Sequence, residues 1–157
     1  RRRRGVGAAA GRARGAERPG GVGVTAPRPT KGERTRARLT EAAGRASLRL
    51  ETEDAMKFVA DVFWFSMEFG VIKEHGEVKA YGAGILSSFG EMDEFGHMEH
   101  RGLDLADMGT LAYDITEYQP VLFCAESLDE LDDVVGVFFD TVDDDLALRL
   151  RADAAAR

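Results

Sequence analysis

Charge divides this sequence into two unlike parts, and the division limits how much of it is expected to fold. Residues 1–50 carry 13 Arg and one Lys against Glu17, Glu33 and Glu41, a net of +11. The other 107 residues carry 7 basic and 25 acidic side chains, a net of −18, which leaves the whole chain at −7. Such asymmetry reads as a tail joined to a folded unit. Residues 1–40 are mostly Arg, Gly, Ala, Pro and Thr, with hardly a large apolar side chain. A segment of that kind cannot bury enough surface to offset chain entropy, so residues 1–42 are expected to be a disordered tail. Arg1 to Arg4 could touch phosphates without sequence preference, but no aromatic residues interleave them, and a nucleic acid partner is not expected. The stretch is Arg-rich and acid-poor like an organelle transit peptide, yet residues 1–40 contain no Ser.

The remaining bulk properties narrow the setting. The single cysteine, Cys124, has no internal partner, so a reducing, cytoplasmic compartment is expected. No apolar run approaches the roughly 20 residues a membrane span needs. No apolar stretch follows the basic start, so there is no secretory signal pattern. The chain begins with Arg rather than Met, which reads as a fragment or an imperfect gene model.

From residue 43 onward the patterning is that of a mainly α fold with a small β component. Thr52 is a helix N-cap, with Glu53 and Asp54 in the first turn, where the helix dipole favours acids. Met56, Val59, Val62, Phe63, Trp64, Met67 and Val71 follow at near-helical spacing, and Gly70 suits the helix end. His75-Gly76, between Val71-Ile72 and Val78, predicts a short hairpin. Ser88 with Glu91 and Ser127 with Glu130 are capping-box patterns, each opening a helix. Leu111 to Ile115 and Val121 to Cys124 read as short strands. The second capping pattern leads a run of Leu128, Leu131, Val134, Val135, Phe138 and Val142 at helical spacing. Residues 143–157, opening on Asp143-Asp144-Asp145, read as a solvated acidic tail.

The chemistry concentrates around Glu68. It lies within Phe63-Trp64-Phe65-Ser66-Met67-Glu68-Phe69-Gly70, the most apolar stretch of the chain. A carboxylate among aromatic rings is costly if buried, unless it is paired or bound to a metal. Two readings stay open on periodicity alone: a carboxylate on the wet side of the helix, or a metal ligand or catalytic acid.

The segments FWFSMEFGVIKEHGEVKAYGAGILSSFGEM and EYQPVLFCAES resemble the aromatic amino acid hydroxylases, which use a tetrahydropterin, iron(II) and dioxygen. The WF-x-x-EFG and YGAG-x-x-SS pieces stand in family order, with Tyr81 11 positions after Gly70. The resemblance implies the C-terminal half of the catalytic domain over residues 43–142, closest in character to phenylalanine 4-monooxygenase. It makes Glu68 the carboxylate of a 2-His-1-carboxylate iron site. It places Trp64, Phe69, Gly84 and Ser87 beside the aromatic substrate and Ala60 and Phe63 beside the pterin. Ser87 and Glu91 become supporting residues, Ser87 by hydrogen-bonding an iron-ligating histidine. The family usually has tyrosine where Phe63 stands, so a hydroxyl is lost. Ile115 falls where the phenylalanine branch is apolar and the tyrosine branch acidic, which implies phenylalanine catabolism.

The family's two iron-binding histidines, five apart in an HELLGH-like motif, are expected upstream of Ala43, where this sequence has no histidine. Its three histidines are His75, His97 and His100. The chain alone is therefore expected not to bind iron or hydroxylate, and Trp64, Phe65 and Phe69 are expected to be exposed for want of a partner surface. The alternative expectation is a non-catalytic interaction protein or regulatory fragment that binds an intact hydroxylase subunit, in an oligomer with hydroxylase subunits.

Overall fold

Thr30 opens the first helix with a reciprocal cap. Its hydroxyl accepts from the Glu33 backbone N–H at 3.2 Å, and the Glu33 carboxylate accepts from the Thr30 N–H at 2.7 Å. The helix that follows, α1, spans Lys31–Ser47 and buries Leu39, Ala42, Ala43 and Ala46 on one face. The computed structural model describes residues 27–157. Residues 31–42 were expected to lie in a disordered tail, and they are helical. The reason is that three alanines and one leucine let α1 lie close against its neighbours, so few large side chains are needed. The basic residues complement acids across the interface. Arg38 pairs with Asp132 and with Asp140 at 3.2 Å, and Arg45 pairs with Asp140 at 3.3 Å. Residues 1–26, including Arg1 to Arg4, lie outside the described residues.

Helix α2, Glu53–Phe63, is capped by Thr52, whose hydroxyl accepts from the Ala55 N–H at 3.3 Å. It buries Ala55, Phe58, Val59 and Val62, whereas Met56 stays 41% exposed, so the inward stripe sits one residue round from the one the sequence spacing picks out. The C-terminal segment is also structured. Helix α8, Asp144–Ala155, replaces the expected solvated tail and packs on α2. Asp144 ties the two helix starts together, accepting from the Thr52 N–H at 2.8 Å and the Glu51 N–H at 3.1 Å. Arg151 bonds Asp54 at 2.8 Å from the other side.

Strands β1, Val71–Glu74, and β2, Glu77–Ala80, form the expected hairpin. Its two turn residues, His75 and Gly76, both have positive φ (53° and 84°), the geometry that matches the twist of paired strands. Helices α3 (Ala83–Ser87) and α4 (Phe89–Glu94) follow, then β3 (Glu99–Gly102), α5 (Leu105–Met108) and β4 (Val121–Ala125). The sheet order is β2-β1-β4-β3, with β4 parallel to both neighbours and buried at all five positions. Leu111 to Ile115 was expected to be a strand and is irregular. Its Asp114 turns the chain back, accepting from the Thr116 N–H at 2.8 Å. Helices α6 (Leu128–Leu131) and α7 (Val137–Thr141), joined by a π-helical turn at Asp132–Gly136, close the core against α1.

The core runs from Leu39 through Phe58, Val62 and Phe65 to Phe123, Phe138 and Phe139. Phe65 was expected to be exposed and is 1% exposed; Phe69, likewise, is 9%. Phe123 and Tyr113 cover Phe65 edge-on at ring separations of 5.3 Å, which supplies the surface thought missing.

Leu39→Ala tests the place of α1 in this core. A fully buried leucine should cost about 2–5 kcal/mol on truncation, whereas a leucine in a disordered tail would cost nothing. Urea unfolding of the two proteins reads the difference.

Candidate functional site

Helix α2 does not end at Phe63. It continues as a π-helical turn over Trp64–Glu68, closed by the Phe69 N–H donating to the Trp64 carbonyl at 2.9 Å. One extra residue in a turn rotates the side chains after it relative to an α-helical continuation. Phe65, Ser66 and Met67 face the core, while Trp64 and Glu68 are left half-buried at its edge. The turn must then reverse at once into β1. Any Cβ at Gly70 would overlap the Ser66 carbonyl and the Tyr81 ring, so glycine is required there.

The chain returns through α3 and α4 and completes a hollow of about 350 Å³. Trp64, Glu68, Phe69, Gly84, Ser87, Ser88, Glu91 and residues 115–118 line it. All the residues assigned to the substrate, together with Glu68, Glu91 and Ile115, thus share one cavity. Glu68 lines this hollow and is half-buried. Gly84 makes room for the Phe69 ring: a Cβ there would stand 2.8 Å from Phe69 Cε2. The Ser87 hydroxyl donates to the Gly84 carbonyl at 3.0 Å and meets no histidine.

Aromatic packing fixes the wall. The Trp64 ring stacks on Tyr113 at 4.8 Å and leans on Phe69 at 4.6 Å. Its indole N–H donates to the Gln119 side-chain carbonyl at 3.4 Å. Gln119 is itself 1% exposed, and its amide donates to the Asp114 carbonyl at 3.0 Å and the Glu117 carbonyl at 3.2 Å. One buried side chain therefore ties the loop carrying Ile115 to the tryptophan wall. Sequence reasoning noted Gln119 only as part of the resemblance; its clamp has no periodic signal. Tyr113, Thr116, Glu117 and Tyr118 were missed for the same reason.

Glu91 is the electrostatic oddity. It is 5% exposed, and its Oε2 has no hydrogen-bond partner among the described residues. Burial pushes its carboxyl pKa above the ordinary carboxylate range, and the Gln119 backbone amide only partly offsets that.

Ala60 and Phe63 are not brought to this cavity. They line a separate apolar hollow between α1 and α2, with Thr40, Ala43, Gly44, Ser47, Met56 and Val59. That surface offers two hydroxyls and no charged group, a thin complement for a polar pterin. The histidines lie elsewhere too: His75 in the hairpin turn, His97 beyond α4, and His100 in β3 with Nε2 2.8 Å from the Phe95 carbonyl. Among the described residues no three His, Cys, Asp or Glu side chains converge as a metal site. The donors present do not fit an iron centre: Glu68 and Glu91 supply oxygen, and no imidazole accompanies them.

A family model for the biopterin-dependent aromatic amino acid hydroxylases matches residues 29–155. The chain belongs to this family. It is 50% identical over 109 residues to the phenylalanine 3-hydroxylase of Streptomyces coeruleorubidus, an alignment covering 69% of this chain and 39% of that protein. The fold is similar to an apo structure of the cold-active phenylalanine hydroxylase from Colwellia psychrerythraea 34H, with a TM-score of 0.65 and 29% identity. That match covers 78% of this chain and 46% of the other. It is also similar to Chromobacterium violaceum phenylalanine hydroxylase with bound iron(III) and 7,8-dihydrobiopterin, at a TM-score of 0.58, 28% identity, and 67% and 39% coverage. The chain therefore spans less than half the length of these hydroxylases, and the family model's match takes in α1 and α8.

Two outcomes test the site. Gln119→Ala should destabilise the protein by about 1–3 kcal/mol, because it removes the partner of two loop carbonyls and of the indole N–H and leaves a cavity where a buried side chain stood. It should also red-shift the emission of Trp64, the sole tryptophan. Glu91→Gln should act oppositely and with pH. A carboxyl whose folded-state pKa is raised contributes stability in full below its unfolded pKa and loses it as pH rises through the folded value. The variant should thus match the parent near pH 4 and melt at higher temperature than the parent at pH 8, as read by thermal unfolding at both pH values.

Proposed function

We propose that this chain is part of an iron(II)- and tetrahydropterin-dependent monooxygenase that hydroxylates an aromatic amino acid, with phenylalanine as the substrate. The observation that carries this reading is the shared cavity. Glu68, Trp64, Phe69, Gly84 and Ser87 line one hollow in a chain that belongs to the hydroxylase family.

The side chains divide the work as follows. Trp64 and Phe69, packed on each other at 4.6 Å, form one aromatic wall against which a substrate ring can lie. Gly84 leaves the space that the Phe69 ring occupies. Glu68 contributes the carboxylate of an iron site whose nitrogen donors are not among the described residues. Bound iron would supply activated oxygen, which side chains alone do not provide. Ser87 and Ser88 stand at the cavity edge with hydroxyls able to orient polar groups. Ile115, 73% exposed, sets an apolar side chain at the rim and so supports phenylalanine over tyrosine. Apolar pockets discriminate weakly between similar rings, and the Streptomyces relative is by name a 3-hydroxylase, so Ile115 argues for the substrate and not for the site of attack. The buried thiol of Cys124 accords with a reducing, cytoplasmic setting. No described helix is long and apolar enough to cross a membrane.

The missing imidazoles favour a second reading in which these 157 residues act only with a further hydroxylase polypeptide, to which they present the Glu68 cavity.

Purified as it stands, the chain is expected to bind no stoichiometric iron(II) and to form no hydroxylated product from phenylalanine, tetrahydropterin and oxygen. Calorimetric iron titration and chromatographic product analysis measure the two. Tight iron binding with pterin-dependent product would overturn the incomplete donor set. Restored product on adding a hydroxylase variant stripped of its own carboxylate ligand would establish that Glu68 can complete the site.

A further inference from the structure

We infer that Asp61 is a positioning residue for the aromatic wall: acting through Tyr113, it fixes the plane in which the Trp64 ring stands. The inference rests on the reading above that this wall receives the substrate ring. Asp61 acts from outside the cavity, whose lining does not include it.

Asp61 is the one charged side chain that α2 buries, at 4% exposure and three residues before Trp64. A carboxylate so enclosed is costly unless its oxygens are bonded. Its Oδ2 accepts from Lys57 Nζ at 2.6 Å, one helical turn back, and its Oδ1 accepts from the Tyr113 hydroxyl at 3.2 Å. The two partners differ in kind. The Lys57 side chain is 65% exposed, so water can take its place. Tyr113 is half-buried. Burial, helped by the Asp61 charge, pushes its phenol pKa above the ordinary value, so the hydroxyl remains a donor well past neutral pH.

The bond matters because of where Tyr113 stands. Its ring lies nearly parallel to Trp64, at 14° and 4.8 Å, and meets the Phe65 ring edge-on at 5.3 Å. Stacked rings tolerate a range of lateral offsets, so stacking sets their separation better than their direction. A hydrogen bond is directional, and the one to Asp61 pins the far end of the Tyr113 ring. The backbone gives little help, since Tyr113 lies in an irregular segment with no strand ladder or helix to hold it. The Trp64 indole has one hydrogen bond of its own, to Gln119, about which the ring could rock. A Tyr113 face fixed at the hydroxyl removes that freedom. Asp61 and Trp64 leave the same helix end, so the tyrosine is fastened to that end at both its hydroxyl and its face.

The sole tryptophan, Trp64, makes the ring's freedom measurable with no ligand present. Time-resolved fluorescence anisotropy of the full chain should show tumbling of the whole molecule and no faster decay. Tyr113→Phe keeps the ring and removes the hydroxyl. It should add a picosecond-to-nanosecond component, and so should Asp61→Ala. Asp61→Asn should restore the parent's decay, because its side-chain carbonyl still accepts from Tyr113. Lys57→Met should also leave the decay unchanged, although it removes the ion pair and a cation 6.0 Å from the Tyr113 ring centroid. A Tyr113→Phe protein whose Trp64 stays as fixed as the parent's overturns the inference. So does a Lys57→Met or Asp61→Asn protein as loosened as Asp61→Ala, which would make the ion pair the cause. Should Asp61→Ala fail to fold by far-ultraviolet circular dichroism, Tyr113→Phe decides alone, because the hydroxyl is all it lacks. No substrate, iron or pterin enters the measurement, so failure here leaves the hydroxylase reading to its own test by product analysis.

Discussion

The π-helical turn at Trp64–Glu68 is the constraint on which the site depends. A single bond, from the Phe69 N–H to the Trp64 carbonyl, spans five residues instead of four. It sends Phe65 and Met67 into the core and leaves Trp64 and Glu68 at the core's margin. A regular helix would have had to choose between packing this strongly apolar segment and presenting its carboxylate. The extra residue separates the two tasks. Gly70 then lets the chain turn immediately into β1, so the hairpin, α3 and α4 come back over the same margin and form the cavity's far side.

The second organising force is charge. Seen as a string, the basic first third and the acidic remainder look like a tail and a globule. In three dimensions part of that contrast is an interface, in which Arg38 and Arg45 of α1 meet Asp132 and Asp140. These pairs are partly exposed and contribute little stability individually. Their value is in specifying how α1 sits on an otherwise small-residue contact.

Local signals were therefore legible and long-range ones were not. Thr52, Ser88 and Ser127 cap the helices they were expected to cap, and His75-Gly76 makes its turn, because those features are decided within four residues. Leu39 was overlooked because one leucine among arginines and alanines carries little hydrophobic weight. Asp144 looked like part of a solvated run, yet it binds the backbone just ahead of α2 from 92 positions away. At the site, the cavity wall was legible through family motifs in the sequence. The role of Gln119 was not, since a buried glutamine gains meaning only from the three groups it meets.

That glutamine carries a mechanical consequence. Because its amide holds the 114–117 loop and its carbonyl holds the Trp64 indole, the rim and the wall of the cavity are one linked body. The backbone that carries Ile115 shifts outward for a bulkier guest only by pulling, through Gln119, on the ring that same guest must lie against. Selectivity for ring size in such a pocket is a cooperative property of rim and wall. Altering residue 115 by itself therefore retunes the tryptophan face as well, and variation at the two positions should be expected to travel together.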